Sequence, residues 1–310
     1  MIIVIRKEVY FFMEKNSSNK TEKSFHNVPI NWYPGHMAKA RREIGEAVKQ
    51  VDVVIEIIDA RIPIASRNPI LNEIIGDKPR VIALNKSDLS DDRQNKAWVE
   101  SFKQKNQVAV LTNGNSGSGM KEVVDKALLL MKDKIDAQIE KGRIGASVKV
   151  MVVGIPNVGK STLINKIAKK QTTETGNKPG VTKKNQWVRL SDKIQLLDTP
   201  GVLWPKFDNA VYARHLAYIG TIKDEVIDKE ELTADLLKEL VETGYKKEIF
   251  ERYKIDENFE FDQIFELMDE IGRKRGCLVR GNMVDYTKVS NIVLDEFRTG
   301  KIGKITLEKR

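Results

Sequence analysis

A single cysteine, Cys277, among 310 residues leaves no internal disulfide partner, which fits a reducing cytoplasm and gives an oxidising compartment no support. Taken alone, that cysteine reads as a small, partly buried hydrophobe rather than a reactive thiol. No stretch approaches the roughly 18 apolar residues of a membrane span. The apolar opening, residues 1–12, is interrupted by Arg6, Lys7 and Glu8 and makes a poor secretory core. Neither a span nor a signal peptide is expected, and no internal repeat is visible. Residues 1–30 read as a variable leader whose polar part, 14–27, is expected to be disordered. Met13 directly precedes that part, so translation from Met1 and from Met13 both stay open.

What is present is the composition of a soluble globular protein, 41% hydrophobic and 31% charged. The length suits two domains, one of ordinary size and one smaller. The formal net charge of +9 makes an anionic partner plausible, and its distribution says more than its size. Residues 271–310 carry ten Lys/Arg against four Asp/Glu, while 221–270 carry seven against seventeen. A basic tail therefore follows an acidic segment, and on composition alone the tail could still be no more than a solvated face.

Short β-branched runs at 51–58, 80–84, 108–111, 148–153 and 194–197 alternate with helix-like stretches at 91–103, 120–141 and 161–169. That alternation predicts a mostly parallel sheet with helices on both faces, where ligands bind at the carboxyl ends of the strands. Beyond Trp204 the pattern becomes helical. Asp228 with Glu231 reads as a capping box opening a helix to Glu242, and further helices are expected at 261–274 and 286–297. The boundaries expected are 31–205 for the α/β domain and 206–310 for the helical one.

Every chemically suggestive motif falls just after one of these runs. Gly154-Ile155-Pro156-Asn157-Val158-Gly159-Lys160-Ser161-Thr162 lies between a strand-like run and a helix-like one, the context that a Walker A loop requires. Its glycines let backbone N–H groups wrap phosphate oxygens, Lys160 adds a point charge, and Ser161 would hold Mg²⁺ through its hydroxyl. Asp198-Thr199-Pro200-Gly201 would reach the metal through water at Asp198 and present the Gly201 N–H to a γ-phosphate. Asn85-Lys86-Ser87-Asp88 supplies a base reader: two acceptor oxygens on Asp88 match the N1–H and 2-amino donors of guanine, Asn85 bonds the other edge, and Lys86 covers the base. Adenine offers neither donor, so the bound nucleotide is expected to be GTP. Asn113 and Gly114 could touch the guanine carbonyl through backbone N–H groups, although a plain flexible loop reads equally well there.

The base reader precedes the Walker loop, an order that is shuffled relative to a Ras-like chain. Together with Trp32-Tyr33-Pro34-Gly35-His36-Met37-Ala38-Lys39-Ala40, Asp59-Ala60-Arg61-Ile62-Pro63, Pro179-Gly180-Val181-Thr182 and Asp198-Thr199-Pro200-Gly201-Val202-Leu203-Trp204-Pro205, it makes the chain resemble the circularly permuted P-loop GTPases. Within these it is similar to the bacterial ribosome biogenesis GTPase A family, from Asn31 to the C-terminus. Thr112-Asn113-Gly114 departs from the Ser-rich loop usual in that family. The resemblance implies a GTPase that controls a late step of large (50S) ribosomal subunit assembly, a C-terminal helical domain that contacts rRNA, and a monomer away from the ribosome.

The water-orienting Gln of Ras-like proteins is missing, since Val202 follows Gly201. By resemblance, His36 is the candidate that positions the attacking water, and packing or an rRNA contact beside Lys39, Arg41 and Arg42 is its alternative. Thr182 matches the switch threonine that completes Mg²⁺ coordination. Asn157 matches the P-loop Asn of potassium-stimulated GTPases, so K⁺ in place of an arginine finger is a further expectation. An ATP-using P-loop enzyme and an RNA-binding module with negligible turnover remain the rival readings.

Overall fold

The computed structural model describes residues 34–141, 147–171, 186–191, 194–198, 209–222, 224 and 227–310. The leader, Thr182, Gly201 and the expected boundary at 205/206 lie outside them. In chain order the elements of the first half are α1 (Pro34–Gln50), β1 (Val53–Asp59), α2 (Pro69–Ile75), β2 (Arg80–Asn85), α3 (Asp92–Ser101), β3 (Gln107–Leu111), α4 (Met120–Leu130) and α5 (Lys132–Glu140). They continue with β4 (Val148–Val153), α6 (Lys160–Gln171), β5 (Gln186–Ser191), β6 (Ile194–Asp198), α7 (Ala210–Tyr218), α8 (Lys229–Glu242), α9 (Lys246–Tyr253), α10 (Ile264–Lys274), β7 (Leu278–Val279), β8 (Met283–Val284) and α11 (Tyr286–Arg298).

The sheet runs β3-β2-β1-β4-β6-β5, with only β5 antiparallel. Its central strands are β-branched and buried along their whole length, as strands covered on both faces must be. Alternate side chains sort the two layers. Val53, Ile55 and Ile57 pack with Val81, Ala83, Val150 and Val152 against Val123 and Ala127 of α4 and Leu163 and Ile167 of α6. On the opposite face Val54, Met151 and Leu197 meet Ile44 and Val48 of α1 and Leu71 and Ile75 of α2, and Ile58, Ile82 and Leu84 meet Trp98 of α3 and Phe102 at its end. Glu56 is buried on this second face and is neutralised by Arg67 (2.9 Å) and Arg80 (3.1 Å).

Two local expectations need correction. The stretch 120–141 is not one helix: it breaks at Met131, because α4 has a buried face in Met120, Val123 and Ala127 whereas α5 buries nothing. The edge strand β5 was not anticipated. It has only one neighbour, and Trp187 on it is exposed, with the Lys149 ammonium 5.5 Å from its ring.

Helices of the second half are opened by Asn and Asp caps. Asn209 opens α7, Asp228 opens α8 and Asp285 opens α11, each side chain accepting from backbone N–H groups of the first turn. The core of this region is continuous with that of the sheet: Leu216, Leu237, Leu267, Val293 and Leu307 belong to the same apolar cluster as Val53 and Leu163. Within the seam lies His215, 3% exposed, its Nδ1 3.0 Å from Glu308 and its Nε2 2.7 Å from Glu239. Burial works against a charged ring, but the two carboxylates outweigh it and push the His215 pKa up to about 9. A raised folded pKa stabilises below the unfolded value of about 6.5, and that contribution, on the order of 3 kcal/mol, fades as pH climbs through 9. Thermal midpoints measured from pH 6.5 to 9.5 should therefore fall more steeply for the wild type than for His215→Gln. Equal slopes would remove His215 from this role.

Candidate functional site

Sheet register gathers the motifs at one rim. Asp59 of β1 lies opposite Asn85 of β2, Leu84 opposite Leu111, and Val152 opposite Asp198. Because these strands are parallel, their ends at Asp59, Asn85, Leu111, Val153 and Asp198 lie along the same edge. Strand β4 starts on the far side of β1 from β2 and β3, so the chain changes direction between β1 and β4. A crevice opens at such a point in a doubly wound sheet.

Asn85 joins three of the loops. Its Nδ2 donates to the Val158 carbonyl at 2.7 Å, and its Oδ1 accepts from the Gly114 N–H at 3.0 Å and from Thr112 Oγ1 at 3.3 Å. The close approach demands glycine at 159: a Cβ there would sit 2.2 Å from Asn85 Nδ2, and its φ of +100° is one that other residues avoid. Ser87 ties the Asn85–Asp88 loop to the neighbouring one, its N–H and hydroxyl both donating to the Thr112 carbonyl at 3.1 and 3.0 Å. Lys86 sits at φ +59° with its ammonium 3.1 Å from Asp59, and Asp88 is exposed. Asn113 folds its own loop, accepting on Oδ1 from the N–H groups of Asn115 and Ser116.

The stretch between β4 and α6 is a wrapped loop. Asn157 adopts φ +65° and donates from Nδ2 to the Gly220 carbonyl at 2.8 Å. Lys160 donates to the Ile155 carbonyl at 3.1 Å, folded over the loop that it closes. Val158 is buried, while Ser161 and Thr162 are exposed at the start of α6. Helix N-termini present free N–H groups and positive potential to anions. The Ser161 hydroxyl is exposed at the start of α6, and hydroxyl oxygen is a ligand type that Mg²⁺ accepts. For Asp198 and His36 the backbone is described, at the end of β6 and in the first turn of α1, and their side chains are not.

Sequence reasoning assigned no role to Asp59 and Arg61, although it quoted both. The structure buries them beneath Lys86. Two acid-and-base neighbours on a strand end carried the signal, but nothing in the sequence shows what they face. The positive charge of the tail is also partly spent inside. Arg298 pairs with Asp224 (2.8 Å), Arg275 with Glu296 (3.2 Å) and Lys304 with Asp92 (2.8 Å), whereas Arg280 is exposed at the tip of the β7–β8 hairpin.

Comparison with known proteins agrees with this geometry. Residues 149–265 match the family model described as 50S ribosome-binding GTPase. The chain is 48% identical over 279 residues to ribosome biogenesis GTPase A of Bacillus cereus, covering 90% of this chain and 93% of that protein. It is 32% identical to the mouse mitochondrial ribosome-associated GTPase 1, with 90% of each chain covered. Among solved structures it resembles GDP-bound TM YlqF (TM-score 0.61, 26% identity, 86% of this chain and 99% of that one). It also resembles GNP-bound YlqF from T. maritima (TM-score 0.58, 26% identity, 87% and 98%).

Proposed function

This chain belongs to the ribosome biogenesis GTPase A family and is a GTP-hydrolysing enzyme, and from that premise we propose that it controls a late step in assembly of the large (50S) ribosomal subunit. The reading of the site rests on one observation: Asn85 bonds the Walker loop and the Thr112–Gly114 turn at once. A base held by Asn85–Asp88, with Asn113 and Gly114 against its carbonyl edge, thus lies next to phosphates held by Asn157–Thr162. Lys160 leaves the Ile155 carbonyl for the β- and γ-phosphates. Gly201 offers its N–H to the γ-phosphate. Ser161 and Thr182 would hold Mg²⁺ directly and Asp198 through water, where the ion neutralises charge on the phosphate oxygens. Asn157 would supply an oxygen to K⁺ while its amide nitrogen stays on Gly220.

His36, in the first turn of α1, positions the attacking water in place of the missing Gln. The enzyme then turns over slowly by itself and is stimulated by the ribosomal subunit. Residues 31–205 form the GTPase domain and 206–310 the rRNA-contacting one, with the basic front of α1 and the exposed hairpin tip meeting phosphates without reading sequence. The protein works as a cytoplasmic monomer off the ribosome. Among the described residues no helix is long and apolar enough to cross a membrane.

Sedimentation with ribosomal fractions tests partner and switch together: cosedimentation with large subunits is expected with a GTP analogue and its loss with GDP. Binding that ignores the nucleotide would contradict the switch. His36→Ala should slow hydrolysis on subunits by about 10²-fold, the scale of a positioned acid–base group, and leave GTP affinity unchanged. A wild-type rate would return His36 to the packing or rRNA role.

A further inference from the structure

Asp59 and Arg61 take no part in the reading above, yet they are 0% and 1% exposed. A buried ion pair is tolerable only where its remaining donors and acceptors are satisfied. Here Asp59 Oδ1 accepts from the Arg61 N–H at 3.1 Å and from its Nε at 2.9 Å, and Oδ2 accepts from Nη2 at 2.9 Å. The same Oδ2 holds the Lys86 ammonium at 3.1 Å. On its other side Arg61 Nη1 donates to the carbonyls of Phe297 (3.2 Å) and Arg298 (3.3 Å). These lie at the end of α11, where a helix runs out of its own donors and a cation is favourable. Helix end, Arg61, Asp59 and Lys86 thus form one line of contact into the base-reading loop.

The last residues of the chain grip that loop from its other end. Gly300 passes so near Leu89 that a Cβ would lie 2.6 Å from Leu89 Cδ2, at a φ of +75°. The Ile305 N–H donates to the Leu89 carbonyl at 3.0 Å, the Asp91 N–H to Thr306 Oγ1 at 3.1 Å, and the Leu307 N–H to the Arg61 carbonyl at 2.9 Å. Asp88 therefore sits between two points, Lys86 and Leu89, that the C-terminal segment fixes. The same helix end reaches the phosphate side: Arg298 donates to the carbonyls of Ala217 and Tyr218 at 2.9 Å, just before the Gly220 carbonyl that receives Asn157.

We propose that Arg61 and Thr306 are positioning residues for the guanine, through which the C-terminal segment sets how long a nucleotide stays bound. A partner that draws this segment off the α/β domain then speeds nucleotide release. The proposal rests on Asn85–Asp88 being the guanine reader. Coupling of this kind is reciprocal, so a bound nucleotide also tightens the segment.

Release of ribose-labelled fluorescent GDP and IDP tests it. Inosine lacks the 2-amino group, so the GDP/IDP ratio reports Asp88, whereas the absolute rate reports how firmly the loop is held. Thr306→Val is expected to raise both release rates by about five- to tenfold, the worth of one lost hydrogen bond in the loop's support, and to leave their ratio unchanged. Arg61→Gln should do the same alone and add nothing to Lys86→Ala, since both act through one line of contact. Multiplying effects of Arg61→Gln and Lys86→Ala would overturn the proposal. If Arg61→Gln does not fold, Thr306→Val decides, and wild-type release would overturn it. An Asp88→Asn variant that still prefers GDP over XDP would instead remove the guanine reader on which the proposal stands.

Discussion

Asp88→Asn is expected to weaken GTP binding by about 10³- to 10⁴-fold and to create tight binding of XTP. The magnitude follows from pairing: a site built to accept two donors keeps one acceptor and turns an N–H₂ donor against the guanine 2-amino group when the carboxylate becomes an amide. Xanthine carries a carbonyl where guanine has its amino group, so the new amide finds a partner. Asp88 is exposed and closes a loop whose own hydrogen bonds run through Asn85 and Ser87. The fold should therefore be indifferent, with stability changed by less than about 0.5 kcal/mol. Titration of the variant with GTP, XTP and ATP checks this, because retained GTP preference, or equal wild-type affinity for ATP and GTP, would contradict the role given to Asp88.

Lys160→Ala should lower GTP hydrolysis by at least about 10²- to 10³-fold, the scale of removing one fixed charge or donor from a developing oxyanion. The nucleotide-free fold is expected to keep its loop, since the Lys160 hydrogen bond to the Ile155 carbonyl is worth only about 1 kcal/mol. Single-turnover hydrolysis and a thermal melt on the same preparation separate the two effects. Wild-type turnover in a folded variant would place the phosphates elsewhere.

How much of this was legible in the sequence differs by element. The central strands announce themselves because β1 and β2 are buried along their whole length and β4 everywhere but at Lys149, so all three are mostly apolar runs. The edge strand β5 carries Gln186, Arg189 and Ser191 with an exposed Trp187 and has no such signature. Met131 breaks a stretch whose helix propensity is unbroken, since only burial distinguishes α4 from α5. At the candidate site, the Gly154–Thr162 and Asn85–Asp88 motifs could be picked out from residue type and spacing. What spacing cannot carry is which side chains span the loops. The bond from Asn85 to Val158 joins residues 73 apart, and that from Arg61 to Phe297 joins residues 236 apart. The C-terminal segment reads as a basic, solvent-facing tail. In the structure Ile302, Ile305 and Leu307 are buried, so it is also a wedge beside the Asn85–Asp88 loop. Its charges hid that role because they alternate with the residues that anchor it.

A structure of the chain with a non-hydrolysable GTP analogue and Mg²⁺ bears most directly on the claim that these scattered loops form one site. One nucleotide per chain is expected, with its guanine edge on the Asp88 carboxylate and its γ-phosphate at the Lys160 ammonium. A base turned away from Asp88, or separate molecules filling the two ends, would contradict it.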